Sequence, residues 1–190
     1  MLRYLFTKNG LEMKKSGPRK TYKGKFTTFK NPQKYVGDID NVTYRSMWER
    51  NVMTWLDENP NVAEWSSEEL YFPYQHPITG KRSKYYPDFY VKMVDGVTRV
   101  IEVKPQKEIT KPEPPKRKTK QYTESIATWV INQEKWKVAQ FYCNKHNTKF
   151  EIWSENTLTE MGIMRTNGMR KLNETKSKPT KSKTWPKRKS

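Results

Sequence analysis

The stretch YYPDFYVKMVDGVTRVIEVKP, Tyr85 to Pro105, decides the fold. Two runs rich in aromatic and β-branched residues flank Asp95-Gly96, the pattern of a β-hairpin. Asp88, Glu102 and Lys104 interrupt runs that otherwise read as buried strands. The length of the loop decides which face each of them takes. A tight Asp95-Gly96 turn pairs Val94 with Val97 and sends Asp88 and Glu102 to opposite faces. A longer loop over residues 94–96, with Gly96 in the left-handed position of a G1 bulge, pairs Met93 with Val97 instead. Asp88 then lies opposite Glu102, with Cβ atoms ~5 Å apart, and Lys104 projects on the same face. In that register two facing, half-buried carboxylates repel each other, so one keeps its proton unless something neutralises both. A divalent cation does so, and oxygen-only ligation from few carboxylates suits Mg²⁺, with Mn²⁺ as an alternative. A lysine beside the ion can orient or deprotonate an attacking water, or steady the charge on a phosphate. The trio therefore points to metal-assisted hydrolysis. The plainer alternative is an exposed, salt-bridged face of an antiparallel sheet.

On the N-terminal side of the hairpin, Tyr44, Met47, Trp48, Val52, Trp55 and Leu56 recur at helical spacing and form one apolar face. Asn41 or Thr43 is the expected cap, and Pro60 stops the helix. Glu49 borders that face, so a helix packed on the sheet carries it along the rim, within reach of the acid pair. A strand rich in aromatics surrounds Pro73, and a turn is centred on Thr79-Gly80. On the C-terminal side, PQKEITKPEPPKRKTK (105–120) reads as a Pro-rich basic loop or lid. A helix follows over residues 121–147, in one or two pieces, with Trp136, Ala139, Tyr142 and Cys143 on one side. Lys135 reads as helix surface and Cys143 as a small core residue. TKFEIWSEN is a short strand and TLTEMGIM a short closing helix. Helix, three strands, helix and strand give an α/β or α+β core, a mixed sheet flanked by helices. The expected organisation is a basic, irregular N-terminal arm (1–34), a compact domain (35–164) and a basic tail (165–190) with little order.

The chain of 190 residues carries a net charge of +18, and its distribution matters more than its size. Residues 1–25 hold eight basic residues and one acid, residues 111–120 five and one, and residues 165–190 ten and one, so the remainder is close to neutral. A neutral body with basic extensions is the footprint of a polyanionic partner, nucleic acid first among them. Lys116, Arg117 and Lys118 in the loop, and Arg170, Lys171, Lys187, Arg188 and Lys189 in the tail, are the expected phosphate contacts, which give affinity without sequence choice. One cysteine and two histidines argue against a disulfide framework and a structural zinc site. No stretch reaches the ~20 apolar residues of a membrane span, and the first ten residues lack the apolar run of a signal peptide. A soluble, intracellular protein that is not secreted is the expectation.

The phrases YRSMWER, NPNVAEWSSEE, YYPDF, IEVKPQKE and FEIWSE, in this order, resemble the PD-(D/E)xK nuclease superfamily. Within it the chain is similar to the head-completion nucleases of tailed phages and to the endonuclease subunit of heteromeric transposases, over about residues 30–160. The resemblance implies a restriction-endonuclease-like core and a Mg²⁺-dependent DNA nuclease. It implies Asp88, Glu102 and the Val103 backbone carbonyl as metal ligands, Lys104 as the residue that handles the water, and Glu49 at the metal directly or through water. It further implies action on packaged DNA before the tail joins, with head, portal or connector proteins as partners. The setting would be the host-cell cytoplasm or the head–tail junction of the virion, with no membrane and no small-molecule cofactor. A transposition- or repair-type endonuclease of the same fold, or a non-catalytic DNA-binding head or connector protein, are the alternatives.

Overall fold

The computed structural model describes residues 22–164, together with the backbone of two short strands, β1 (Tyr4–Thr7) and β2 (Gly10–Met13), paired antiparallel. A second short antiparallel pair, β3 (Gly24–Lys25) and β4 (Thr43–Tyr44), leads into helix α1 (Met47–Glu58). The strands β5 (Val62–Ser67), β6 (Phe72–Gln75), β7 (Arg82–Tyr85), β8 (Phe89–Met93) and β9 (Thr98–Val103) follow. After them come a single helical turn, α2 (Gln106–Ile109), the long helix α3 (Lys120–Lys145), β10 (Lys149–Trp153) and α4 (Glu155–Glu160). The central sheet has the order β10-β9-β8-β5. β10 runs parallel to β9, and the other two pairings are antiparallel, so the sheet is mixed and the expected α+β class is found.

Strict alternation along β8 and β9 makes two cores. Phe89, Val91, Ile101 and Val103 face one way and pack with Val52, Met53 and Leu56 of α1. Val100 faces the other way and packs with Trp136, Ala139 and Cys143 of α3. Each helix thus covers one face of the sheet.

Ser46 caps α1, accepting the Glu49 N–H at 3.1 Å, where Asn41 or Thr43 was expected. Glu49 reaches back in turn, accepting the Ser46 hydroxyl at 2.8 Å and the Arg45 N–H at 2.6 Å, a variant of the capping box displaced by one residue. The long helix is continuous, since neither Gly nor Pro occurs between Lys120 and Lys145.

Two differences from the sequence expectation have clear physical causes. Between α1 and α3 there are five strands rather than three, because β6 and β7 form a separate hairpin beside the main sheet. Pro73 in β6 lacks the N–H that an interior strand needs, and β6 pairs on one side only. Residues 22–34, placed by the sequence in an irregular basic arm, instead contribute Phe26 to the core at 2% exposure, with its ring 6.1 Å from Trp65. Asp57 fastens this segment: its buried carboxylate accepts the Lys30 N–H at 2.7 Å and the Asn31 N–H at 3.2 Å.

Candidate active site

The loop of the β8–β9 hairpin has the longer register. Met93 N–H donates to the Val97 carbonyl at 2.8 Å, Gly96 has φ 83°, and Phe89 pairs with Ile101 and Tyr90 with Val100. One step past Phe89 the chain bends. There the Asp88 carboxylate accepts the Val103 N–H at 2.7 Å and sits beside Glu102. By alternation Asp88, Glu102 and Lys104 all take the face that packs on α3. This gathers the trio on one face, the outcome of the longer of the two registers open in sequence.

Glu102 is 4% exposed. One carboxylate oxygen lies 3.1 Å from Lys104 Nζ, and the other accepts the Tyr85 hydroxyl at 2.8 Å. Burial, and then the facing Glu102 charge, hold the Asp88 carboxyl well above the usual carboxylate range, against the opposing pull of Lys104 and the Val103 N–H. Burial pulls the Lys104 ammonium down, but Glu102 and Asp88 more than reverse it, so the lysine stays protonated beyond its ordinary range. Burial and Glu102 likewise raise the Tyr85 phenol, which remains a donor. These groups open on a cleft of ≈ 480 Å³.

The donor set fits a hard divalent cation. Two carboxylates face one another, each with lone pairs left after the bonds above, and their mutual repulsion is what such an ion relieves. Among the described residues no group of three or more His, Cys, Asp or Glu side chains is arranged to ligate a metal. Backbone oxygen and water can complete a shell built on this pair.

Glu49 is not brought to the cleft wall. Its carboxylate is held at the start of α1 by the Arg45 N–H at 2.6 Å and the Ser46 hydroxyl. It is still near enough for its charge to add to the upward pressure on Asp88. The wall position is taken by Glu68, which the sequence reading passed over. Glu68 adopts φ 56°, rare for a residue with a side chain, and its N–H donates to the Asp88 carbonyl at 3.2 Å. Burial raises its carboxyl, against the Arg45 guanidinium 2.9 Å away.

Lys135 is the second residue the sequence reading misplaced. It is half-buried and lines the cleft with Lys104, its ammonium 5.6 Å from the Tyr85 ring centroid and 5.9 Å from that of Tyr74. Burial lowers its pKa, against the attraction of Glu102 and with the help of Lys104. One signal for it was available: Lys135 directly precedes Trp136 on the buried side of α3. Lys116, Arg117 and Lys118 are exposed ahead of α3. Arg170, Lys171, Lys187, Arg188 and Lys189 lie outside the described residues. No described helix is long and apolar enough to cross a membrane.

Two comparisons bear on this arrangement. A family model described as the TnsA-like endonuclease N terminal matches residues 59–155. That span holds Asp88, Glu102, Lys104, Glu68 and Lys135 and begins after α1, so Glu49 falls outside it. The head completion nuclease of Enterobacteria phage T4 is 39% identical over 146 residues, covering 75% of this chain and 97% of that protein.

Proposed function

The chain belongs to the TnsA-like endonuclease family, and from that premise we propose that it is a divalent-metal-dependent deoxyribonuclease of the PD-(D/E)xK type acting in phage head completion. The observation that carries the reading is the facing pair Asp88 and Glu102 with Lys104 Nζ 3.1 Å from Glu102. Asp88, Glu102 and the Val103 carbonyl would hold Mg²⁺ or Mn²⁺. Such an ion supplies charge neutralisation at the phosphate and a more acidic water. Lys104, kept as an ammonium by its two acid neighbours, orients the attacking water and faces the charge that builds on the phosphoryl oxygens. Lys135, from α3, and Arg45 add positive charge around the same cleft and position the scissile phosphate. Tyr85 donates its hydroxyl to Glu102 and holds that carboxylate in place. Double-stranded DNA is the substrate, and head, portal or connector proteins are the partners that bring the enzyme to it.

The family-model match supports a second reading, an endonuclease of a transposition system. Coverage of 97% of the head completion nuclease favours the first. Genome context separates them: portal and tail genes beside this one, or transposase genes. The chemistry is tested by incubating linear duplex DNA with the protein in Mg²⁺, in Mn²⁺ and in EDTA. Cleavage in either metal and none in EDTA is expected. A pure protein that cuts no DNA in any divalent metal would leave a DNA-binding role alone.

A further inference from the structure

The β6–β7 hairpin has one buried and one exposed face. Phe72, Tyr74 and Tyr85 turn inward, toward α3. Tyr71, Pro73, Gln75, Arg82, Lys84 and Tyr86 turn outward and are exposed. The ladder pairs Phe72 with Tyr85 and Pro73 with Lys84. Continued one step, the same register sets Tyr71 opposite Tyr86 at the end of the hairpin nearest Asp88. Their ring centroids are 5.6 Å apart at 45°, and both residues are large aromatics left 45% and 44% exposed. The Lys84 ammonium lies 4.2 Å from the Tyr71 ring centroid. Lys84 and Tyr86 also line the cleft that holds Asp88, Glu102 and Lys104. From Leu70 to Pro87 the sequence has no acid and three basic residues.

Exposed aromatic rings interleaved with cations, running into a phosphate-cleaving cleft, have one natural complement. A duplex hides the faces of its bases inside its own stack, so a tyrosine beside it meets only sugar, phosphate and base edges. An unpaired strand presents base faces and phosphates together, and every base has a face to offer. We propose that the outer face of the β6–β7 hairpin, centred on Tyr71, Tyr86 and Lys84, is a base-stacking subsite for an unpaired stretch of the DNA strand that enters the cleft. The preferred substrate class is then DNA with a single-stranded extension, gap or frayed end. Tyr71 and Tyr86 stack its bases, and Lys84 and Arg82 take the phosphates between them. This inference rests on the nuclease reading above.

The test reads binding in EDTA, without cleavage, so that it stands apart from the chemistry. Fluorescence anisotropy compares a blunt duplex with the same duplex carrying a single-stranded extension. Stacking of one base is worth about a tenfold gain in affinity, so the wild-type protein should bind the extended duplex about tenfold tighter or better. The double variant Tyr71→Ala/Tyr86→Ala should bring the two affinities within about twofold of each other. The double variant Tyr71→Phe/Tyr86→Phe should keep the preference, because phenylalanine retains the stacking face. A 2-aminopurine base placed in the extension next to the duplex should be quenched by the wild-type protein, which reads stacking without any variant. Equal affinity of the wild-type protein for both DNAs, an unquenched probe, or a preference that survives the alanine substitutions in a folded protein would each overturn the subsite. None of these results touches Mg²⁺-dependent cleavage. Conversely, a protein that shows the preference but cuts no DNA in any metal would keep the subsite and remove the nuclease.

Discussion

Asp57 and Glu102 are both nearly inaccessible acids, 1% and 4% exposed, yet they sit in opposite kinds of surroundings. Asp57 accepts backbone N–H groups from Lys30 and Asn31, and no carboxylate lies opposite it in its hydrogen-bond set. Its bonds tie a segment of the chain to α1. Glu102 faces Asp88, and the pair shares one backbone N–H, one phenol and one lysine. The first site is complete as folded. The second presses two carboxylates together, an arrangement that costs Asp88 its ordinary acidity even with Lys104 alongside, and such crowding is typical of sites with a task beyond folding.

Removing each acid in turn separates the two sites most clearly. Asp88→Asn, Glu102→Gln and Lys104→Met should each lower Mg²⁺-dependent cleavage by about 10²–10³-fold or more, with the circular dichroism unchanged. Asp57→Ala should do the reverse. It leaves the Lys30 and Asn31 amides without their acceptor and should cost roughly 2–4 kcal/mol of stability in denaturant melts, with wild-type turnover per folded molecule. A folded Asp88→Asn enzyme at wild-type rate, or an Asp57→Ala protein of full stability, would end the distinction.

The pH dependence of stability sharpens it further. Asp88 has a raised pKa in the folded state, so the folded protein binds more protons there than the unfolded chain does. Stability from this group is fully present below the unfolded value of about 3.9 and is lost as pH rises through the folded value. In EDTA the wild-type Tm should therefore fall, relative to that of Asp88→Asn, as pH rises from ~4 toward neutrality. At neutral pH, Mg²⁺ should raise the wild-type Tm and leave the Asp88→Asn Tm nearly unmoved. Parallel Tm profiles for the two proteins in EDTA, at all pH values, would show that the pair is not strained.

A smaller effect is expected at Lys135. Lys135→Met should lower turnover by about 10–100-fold, with Lys135→Arg recovering part of it, because a positioned charge is lost but the acid pair remains. Smaller still is Glu49. Its carboxylate already serves the cap of α1, so Glu49→Gln, which keeps much of the capping box, should change stability by less than about 1 kcal/mol. Turnover should drop more than that change explains, by a few-fold, if the carboxylate helps hold the metal's water. Unchanged turnover would assign Glu49 to the cap alone.

These ranked sites also show what could be read from the sequence. The hairpin that carries Asp88, Glu102 and Lys104 was legible because a short loop and period-2 alternation are both local, but two registers stayed open in sequence and the Met93–Val97 bond chooses between them. Lys135 was not, because whether a lysine beside Trp136 faces solvent or a cleft depends on how α3 crosses the sheet. Glu68 was hidden for a similar reason: its left-handed backbone follows from the junction of β5 with Asp88, not from its neighbours in sequence. Pro73 carried a signal for a break from the main sheet that the sequence reading did not use, and Ser46-x-x-Glu49 carried a cap signal passed over for Asn41 or Thr43. Assigning Glu49 to the metal alone obscured the second role. Phe26 joined the core from a segment whose charge made it resemble an arm, since composition averages over the single apolar residue that matters.

The basic tail, residues 165–190, is expected to contribute no chemistry at all. It holds ten basic residues and one acid, with Pro179 and Pro186 and few apolar residues. Its expected part is affinity for duplex DNA through phosphates, with no base readout. Each phosphate neutralised adds about −0.9 to the slope of log affinity against log salt, so engagement of about half of its basic residues gives roughly four units. Deleting 165–190 should flatten the slope by about that amount and leave turnover at saturating DNA and low salt unchanged. The competing expectation is that the tail docks on an acidic protein surface of the capsid and barely touches DNA. Binding of the full-length and truncated proteins to one duplex, measured across a salt series, separates the two. A flattened slope assigns the tail to DNA. An affinity and slope unmoved by the deletion would take the tail out of DNA binding and leave the protein surface as its partner.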